Sequence, residues 1–142
     1  MEKSEIPFFT ATELAGLIKS REVSPVEATQ AYLDRIDAVD SQLNSYITVC
    51  REEALDQARS AEDQIAAGNY RGPMHGIPVG VKDQFNTKGI LTPGGSSILK
   101  DFVPDEDSTV VSKLKNAGAV VLGKLNMSEY AMGDAFHHPY GR

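Results

Sequence analysis

The sequence predicts an α/β fold, and three observations predict it. Two helix starts, each a hydroxyl followed by a glutamate three residues on, open the first half. A strand, long loop, helix and strand rhythm fills the second. The helix of that rhythm has an apolar side and is bracketed by short β-branched runs, so the two strands are expected to lie parallel in one sheet with a right-handed crossover.

The elements follow in order. Thr10-Ala11-Thr12-Glu13 and Ser24-Pro25-Val26-Glu27 both fit a capping box, in which side chains satisfy the orphan amides of a first helical turn. Leu14, Leu17 and Ile18 share a face of the first helix. In the second, Pro25 takes the favoured first position, and Val26, Leu33 and Ile36 recur near helical spacing. A third helix is predicted over Arg51 to Ala67, with Ala54, Ala58, Ala61 and Ile65 as a narrow stripe whose small residues imply close packing, and with Gly68-Asn69 as the stop. From Tyr70 the pattern changes to a strand over Ile77 to Lys82, a loop over Gln84 to Glu106, a helix near Ser108 to Ala117 and a strand over Ala119 to Leu122. Val110, Val111 and Leu114 are placed on one side of that last helix, which ends at Gly118. The stretch from Asn86 to Glu106 is long for a loop, and such loops tend to be functional or to pack against something else. No repeat, low-complexity tract or linker interrupts the chain, which divides into a helical segment, 1–69, and the start of an α/β core, 70–142.

At 142 residues the chain fits one domain and is long enough to bury a core. Its net charge of -6 is uneven: residues 1–69 hold 13 acids against 6 bases, and residues 70–142 hold 7 against 8. The surplus is read as a solvated helical surface, and no basic stripe points to direct nucleic-acid binding. No apolar run approaches the roughly 20 residues of a membrane span, and Met1-Glu2-Lys3-Ser4-Glu5 has no secretory character, so a cytoplasmic protein is expected. The lone Cys50 is read as a buried, inert thiol. His75, His137 and His138 lack partners at metal-ligand spacing, so neither metal nor cofactor is expected. The acids Glu52-Glu53, Glu62-Asp63 and Asp105-Glu106-Asp107 are adjacent in sequence and splay apart, which favours solvated faces over a carboxylate pair.

Chemistry concentrates at one strand end. In a strand from Ile77, alternation puts Ile77, Val79 and Val81 on one face and Pro78, Gly80 and Lys82 on the other. Glycine within a strand marks a close approach, and the C-terminal end of such a strand is where α/β sheets commonly place ligands. Lys82 is therefore expected to face a cleft, although spacing alone favours a surface lysine paired with Asp83.

A longer set of residues resolves that choice. Gly72-Pro73-Met74-His75-Gly76-Ile77-Pro78 leads into Lys82-Asp83; then come Thr87-Lys88-Gly89, Thr92 with Gly95-Ser96, and Asp107-Ser108-Thr109-Val110-Val111 with Leu114. Ala117-Gly118-Ala119-Val120-Val121-Leu122-Gly123-Lys124-Leu125-Asn126-Met127-Ser128-Glu129-Tyr130-Ala131 completes the set. In order and spacing this resembles the opening part of the amidase signature family, and the likeness covers nearly the whole chain. The resemblance implies a mixed sheet flanked by helices, of which these residues supply the N-terminal helices and the first βαβ part, an incomplete fold.

It also implies a Ser-Ser-Lys triad with Lys82 as the terminal base. A lysine charged at its usual pKa cannot accept a proton, so Lys82 would have to be held neutral by desolvation and nearby donors. It would then draw a proton through a bridging serine from a nucleophilic serine that attacks a carboxamide. Both serines belong, in the family, to a Gly-Gly-Ser-Ser-Gly-Gly-Ser segment that these residues lack, so the chain alone is expected to be inactive. Gly94-Gly95-Ser96-Ser97 is not that segment, because Ile98-Leu99-Lys100 follows; these are read as turn residues. Lys124 is read as structural. Ala131 and Met132 are candidate walls of the substrate pocket, with Met127, Tyr130 and Met132 as ordinary core the equally supported alternative.

The implied partners are a small-molecule amide, the remainder of the same protein and, in the amidotransferase branch of the family, its partner subunits; no direct nucleic-acid or membrane contact is expected. Lys124-Leu125-Asn126-Met127 and Ala131-Met132-Gly133 resemble the A subunit of tRNA-dependent amidotransferases, whereas His138-Pro139-Tyr140-Gly141 resembles broader amidases. The broad amidase reading is preferred. A reading of another class, a non-catalytic fragment or interaction module, applies to the chain in isolation.

Overall fold

The computed structural model describes residues 2–132 and Tyr140. A 3₁₀ turn, Lys3–Phe8, leads into α1 (Ala11–Ser20) and α2 (Pro25–Leu43). Both predicted capping boxes are present: the Glu13 amide donates to Thr10 Oγ1 at 3.2 Å and the Glu27 amide to Ser24 Oγ at 3.1 Å, with each glutamate accepting from its cap amide. α3 (Arg51–Ala66) buries Ala54, Ala58, Ala61 and Ile65, the stripe expected from their spacing. It stops at Gly68, whose positive φ of 87° lets its amide reach the Ile65 carbonyl while the Asn69 amide reaches Gln64.

The second half forms β2 (Pro78–Lys82), α4 (Thr109–Asn116) and β3 (Val120–Leu125). β2 and β3 pair in parallel, as expected of a strand, helix and strand unit. A further strand, β1 (Tyr46–Val49), was not expected; it pairs antiparallel with β3, so the sheet order is β1-β3-β2 and the sheet is mixed. Helices lie on both faces of β3. Val120 and Leu122 pack with Leu33, Ala54 and Ala58 from α2 and α3, whereas Val121 packs with Val81 and with Val111 of α4. Fully burying side chains of this kind stabilises by about 2 kcal/mol each, which makes β3 the main anchor of the fold.

Three details differ from expectation. β3 runs on to Leu125 through Gly123 and Lys124, residues that read as a strand end because glycine and charged side chains are depleted in strands. On α4 only Val111 is fully buried, while Val110 remains 46% exposed. The simple alternation of β2 also fails: Ile77 packs with the α1 and α2 cluster, Val81 with the α4 cluster, and Val79 touches both. Pairing steps from Val79↔Val121 to Gly80↔Gly123, skipping Leu122, and such an irregularity re-aims side chains along the strand.

The long segment after β2 is not open. It folds back on itself, with the Gly89 amide donating to Pro104, Thr92 to Phe102, and Ser108 to Asn86. Asp107 is fixed rather than solvated, accepting from Lys115 Nζ at 2.9 Å and from the Lys88 amide at 2.7 Å. Burial works to raise its pKa, but these donors outweigh it and hold the carboxyl below the usual range.

Candidate functional site

Lys82 ends β2, and its carbonyl accepts from the Phe85 amide at 3.1 Å. The residue is exposed. Four surface cavities of the described residues are lined by other side chains, one of them, about 320 Å³, by Gln57, Ser60, Gln64, Arg71, His75 and Lys115. Asp83, the partner that spacing suggested for Lys82, turns inward and is buried.

Beneath the strand end lies a buried polar cluster that the sequence did not reveal. Asp83 and Lys124 are both fully buried, with Asp83 Oδ1 and Lys124 Nζ 3.9 Å apart. Lys124 Nζ donates to the Phe85 carbonyl, to Thr87 Oγ1 at 3.0 Å and to Thr92 Oγ1 at 3.2 Å. Three acceptors around one amine call for an ammonium. Desolvation pushes the Lys124 pKa down to about 8, against the pull of Asp83, and desolvation likewise raises Asp83 against the pull of Lys124. Asp83 Oδ2 accepts from the Gly95 amide at 3.2 Å, a contact that suits the carboxylate, so the pair is read as ionised. One signal for this cluster was present in the sequence: a lysine set within the apolar run Val120 to Leu125 has no solvent to reach.

The Gly94-Gly95-Ser96 turn links this cluster to the segment after β3. Gly94 and Gly95 take positive φ, 64° and 69°, and a Cβ on Gly95 would stand 2.6 Å from the Met127 carbonyl. Ser96 Oγ donates to Glu129 at 2.6 Å, and the Gly94 carbonyl accepts from the Tyr130 amide. These residues form a turn, as read from the sequence. Beyond it, Tyr130 and Ala131 both adopt positive φ, 50° and 57°, an uncommon conformation for residues other than glycine. Ala131 and Met132 are exposed, Met132 at 77%, and Tyr130 is also exposed; of the alternative core set only Met127 is buried.

The remaining candidates have structural surroundings. Cys50 is buried, and desolvation, then Glu53, push its thiol up to about 11. His75 is 1% exposed and its Nδ1 accepts from the Arg71 amide at 3.1 Å. His137 and His138 lie outside the described residues, as does most of the stretch from His138 to Gly141. Among the described residues no three His, Cys, Asp or Glu side chains gather as a metal site, and no helix is long and apolar enough to cross a membrane.

Known proteins share this geometry. The chain is 56% identical over 136 residues to the glutamyl-tRNA(Gln) amidotransferase A subunit of Geobacter sp. (strain M21), covering 96% of the chain and 28% of that relative. Among solved structures it resembles an amidase family protein from Bacillus anthracis str. Ames, at 37% identity and a TM-score of 0.84, over 96% of this chain and 28% of that one. It also resembles the native peptide amidase of Stenotrophomonas maltophilia, at 38% identity and a TM-score of 0.82, over 88% of this chain and 26% of that one. The chain thus spans little more than a quarter of the length of these relatives, which makes the present α/β arrangement an incomplete part of their fold. Residues 27–142 match the amidase family model, and the chain belongs to the amidase family.

Proposed function

We propose that this chain is part of a longer serine amidohydrolase in which Lys82 is the terminal base of a Ser-Ser-Lys relay. The observation that carries the reading is the placement of Lys82: it stands exposed at the C-terminal end of β2 while its neighbouring acid is committed to Lys124. Among the described residues no acid forms an ion pair with Lys82, and its exposed face is open to the remainder of the protein, which would supply the desolvation and the donors that a neutral lysine base requires. Neutral Lys82 takes a proton from a bridging serine, which takes one from the nucleophilic serine as that oxygen attacks the carboxamide carbonyl. The C–N bond breaks, ammonia or an amine leaves with the returned proton, and water resolves the acyl-enzyme. Ala131 and Met132 are assigned to the wall of the substrate pocket. Both serines are assigned to sequence outside residues 1–142.

The reading is tested by chemical trapping. The full-length protein, given a carboxamide and hydroxylamine, is expected to yield the hydroxamate of the acyl group with release of ammonia, and the purified 142-residue chain is expected to yield neither. Ammonia release by the full-length protein without a trappable acyl group, or turnover by the short chain, would contradict it.

A second reading concerns the substrate. Two relatives, at 56% and 50% identity, are named as the A subunit of glutamyl-tRNA(Gln) amidotransferase, which favours a subunit that releases ammonia from glutamine for transfer to glutamyl-tRNA. Its partners would be the other amidotransferase subunits. Stable co-purification of the full-length protein with such subunits from its own host supports this branch; a monodisperse, active protein without them supports the free-standing amidase.

A further inference from the structure

The buried cluster contains more than a core requires, because its contacts converge on the residues flanking Lys82. Asp83 follows Lys82 directly; its amide is held by the Leu125 carbonyl at 3.1 Å, and its side chain faces Lys124. Phe85 gives its amide to the Lys82 carbonyl and its own carbonyl to Lys124 Nζ. One ammonium therefore hydrogen-bonds one side of the turn that carries Lys82 out of the sheet, at the Phe85 carbonyl, and faces the other across 3.9 Å, where Asp83 Oδ1 has no hydrogen-bond partner and only the charge attraction holds it. An apolar side chain of similar length would fill the same space without fixing either contact, and buried ion pairs are generally no more stabilising than such a replacement.

We infer that Lys124 is a positioning residue for Lys82, acting through Asp83 and the Phe85 carbonyl to fix the direction in which the Lys82 side chain leaves β2. The inference rests on the proposed role of Lys82 as base. A displacement of about 1 Å in such a group costs roughly a hundredfold in rate, which is the effect the role implies. Lys124 is fully buried, so the expected loss falls on turnover and not on binding.

Removing the ammonium alone strands a buried carboxylate, so the deciding variant is the neutral pair Lys124→Met/Asp83→Asn in the full-length enzyme. Ammonia release from glutamine and from benzamide is followed, with folding checked by circular dichroism and melting temperature. The expected result is a folded protein whose kcat is reduced by about a hundredfold while KM stays within about threefold. A folded variant with kcat within about threefold of the parent, or one whose defect lies in KM alone, overturns the positioning role. If the double variant does not fold, Asp83→Asn alone decides in its place: it removes the charge through which Lys124 acts on the residue next to Lys82, and a kcat loss at constant KM supports the role while unchanged kcat overturns it. Lys82→Ala is measured alongside. Normal kcat in a folded Lys82→Ala enzyme overturns the proposed function and the positioning role with it; loss there with normal kcat in the neutral pair overturns the positioning role alone.

Discussion

Gly123 lies so close beneath Thr48 that a Cβ on it would stand 2.1 Å from the Thr48 carbonyl oxygen. The neighbour is backbone, which cannot swing aside, so the absence of a side chain at 123 is what allows β1 to pair alongside β3 at the edge of the sheet. Gly123→Ala is therefore expected to destabilise by about 3 kcal/mol through overpacking. Gly16, in the exposed part of α1, has nothing within 4 Å of its would-be Cβ, and Gly16→Ala is expected to stabilise by about 0.5 to 1 kcal/mol. Denaturant melts of the two variants check both signs, and equal effects would contradict the account of the close approach of β1 to Gly123.

His75 supplies a pH dependence. Burial first, then the nearby Arg71 charge, holds its imidazole below the ordinary 6.5, and its Nδ1 must stay unprotonated to accept from the Arg71 amide. The unfolded chain binds this proton first on acidification, so the stabilisation is complete above about pH 6.5 and is lost as pH falls through the lower folded value. Melting temperatures between pH 7.5 and 5 should fall more steeply in the parent than in His75→Gln. Parallel slopes would show that the histidine is not buried neutral.

Cys50 should behave in the opposite sense. Its folded pKa, raised from 9.0 to about 11, lies above the unfolded one, so its contribution is complete below pH 9 and is lost as pH rises toward 11. At pH 8 the thiol of the folded chain is expected to resist Ellman's reagent for hours and to react within minutes in guanidinium. Rapid labelling of the folded chain would place Cys50 at an accessible surface.

Much of this fold was legible because its signals are local. The capping boxes at Thr10 and Ser24, the small-residue stripe of α3 and the glycine stop at Gly68 each depend on residues within one or two turns, and each is present. What was not legible depends on distant partners. Tyr46-Ile47-Thr48-Val49 is too short to announce itself between two helices and becomes a strand only because β3 offers it an edge. Asp83 looked like a partner for Lys82 because the two are adjacent, yet the chain turns after Lys82 and carries Asp83 inward, where it faces Lys124 of the neighbouring strand instead. The fold leaves Lys82 exposed, and the candidate base was legible only through family resemblance.

Lys82 as the base of an amide-cleaving relay is tested most directly by kcat for Lys82→Ala in the full-length protein, with ammonia release followed on glutamine and benzamide. Removing one member of such a relay leaves only binding and oxyanion stabilisation, so a folded variant is expected to lose about three orders of magnitude or more in kcat with little change in KM. A folded Lys82→Ala protein turning over at close to the parent rate would contradict the account.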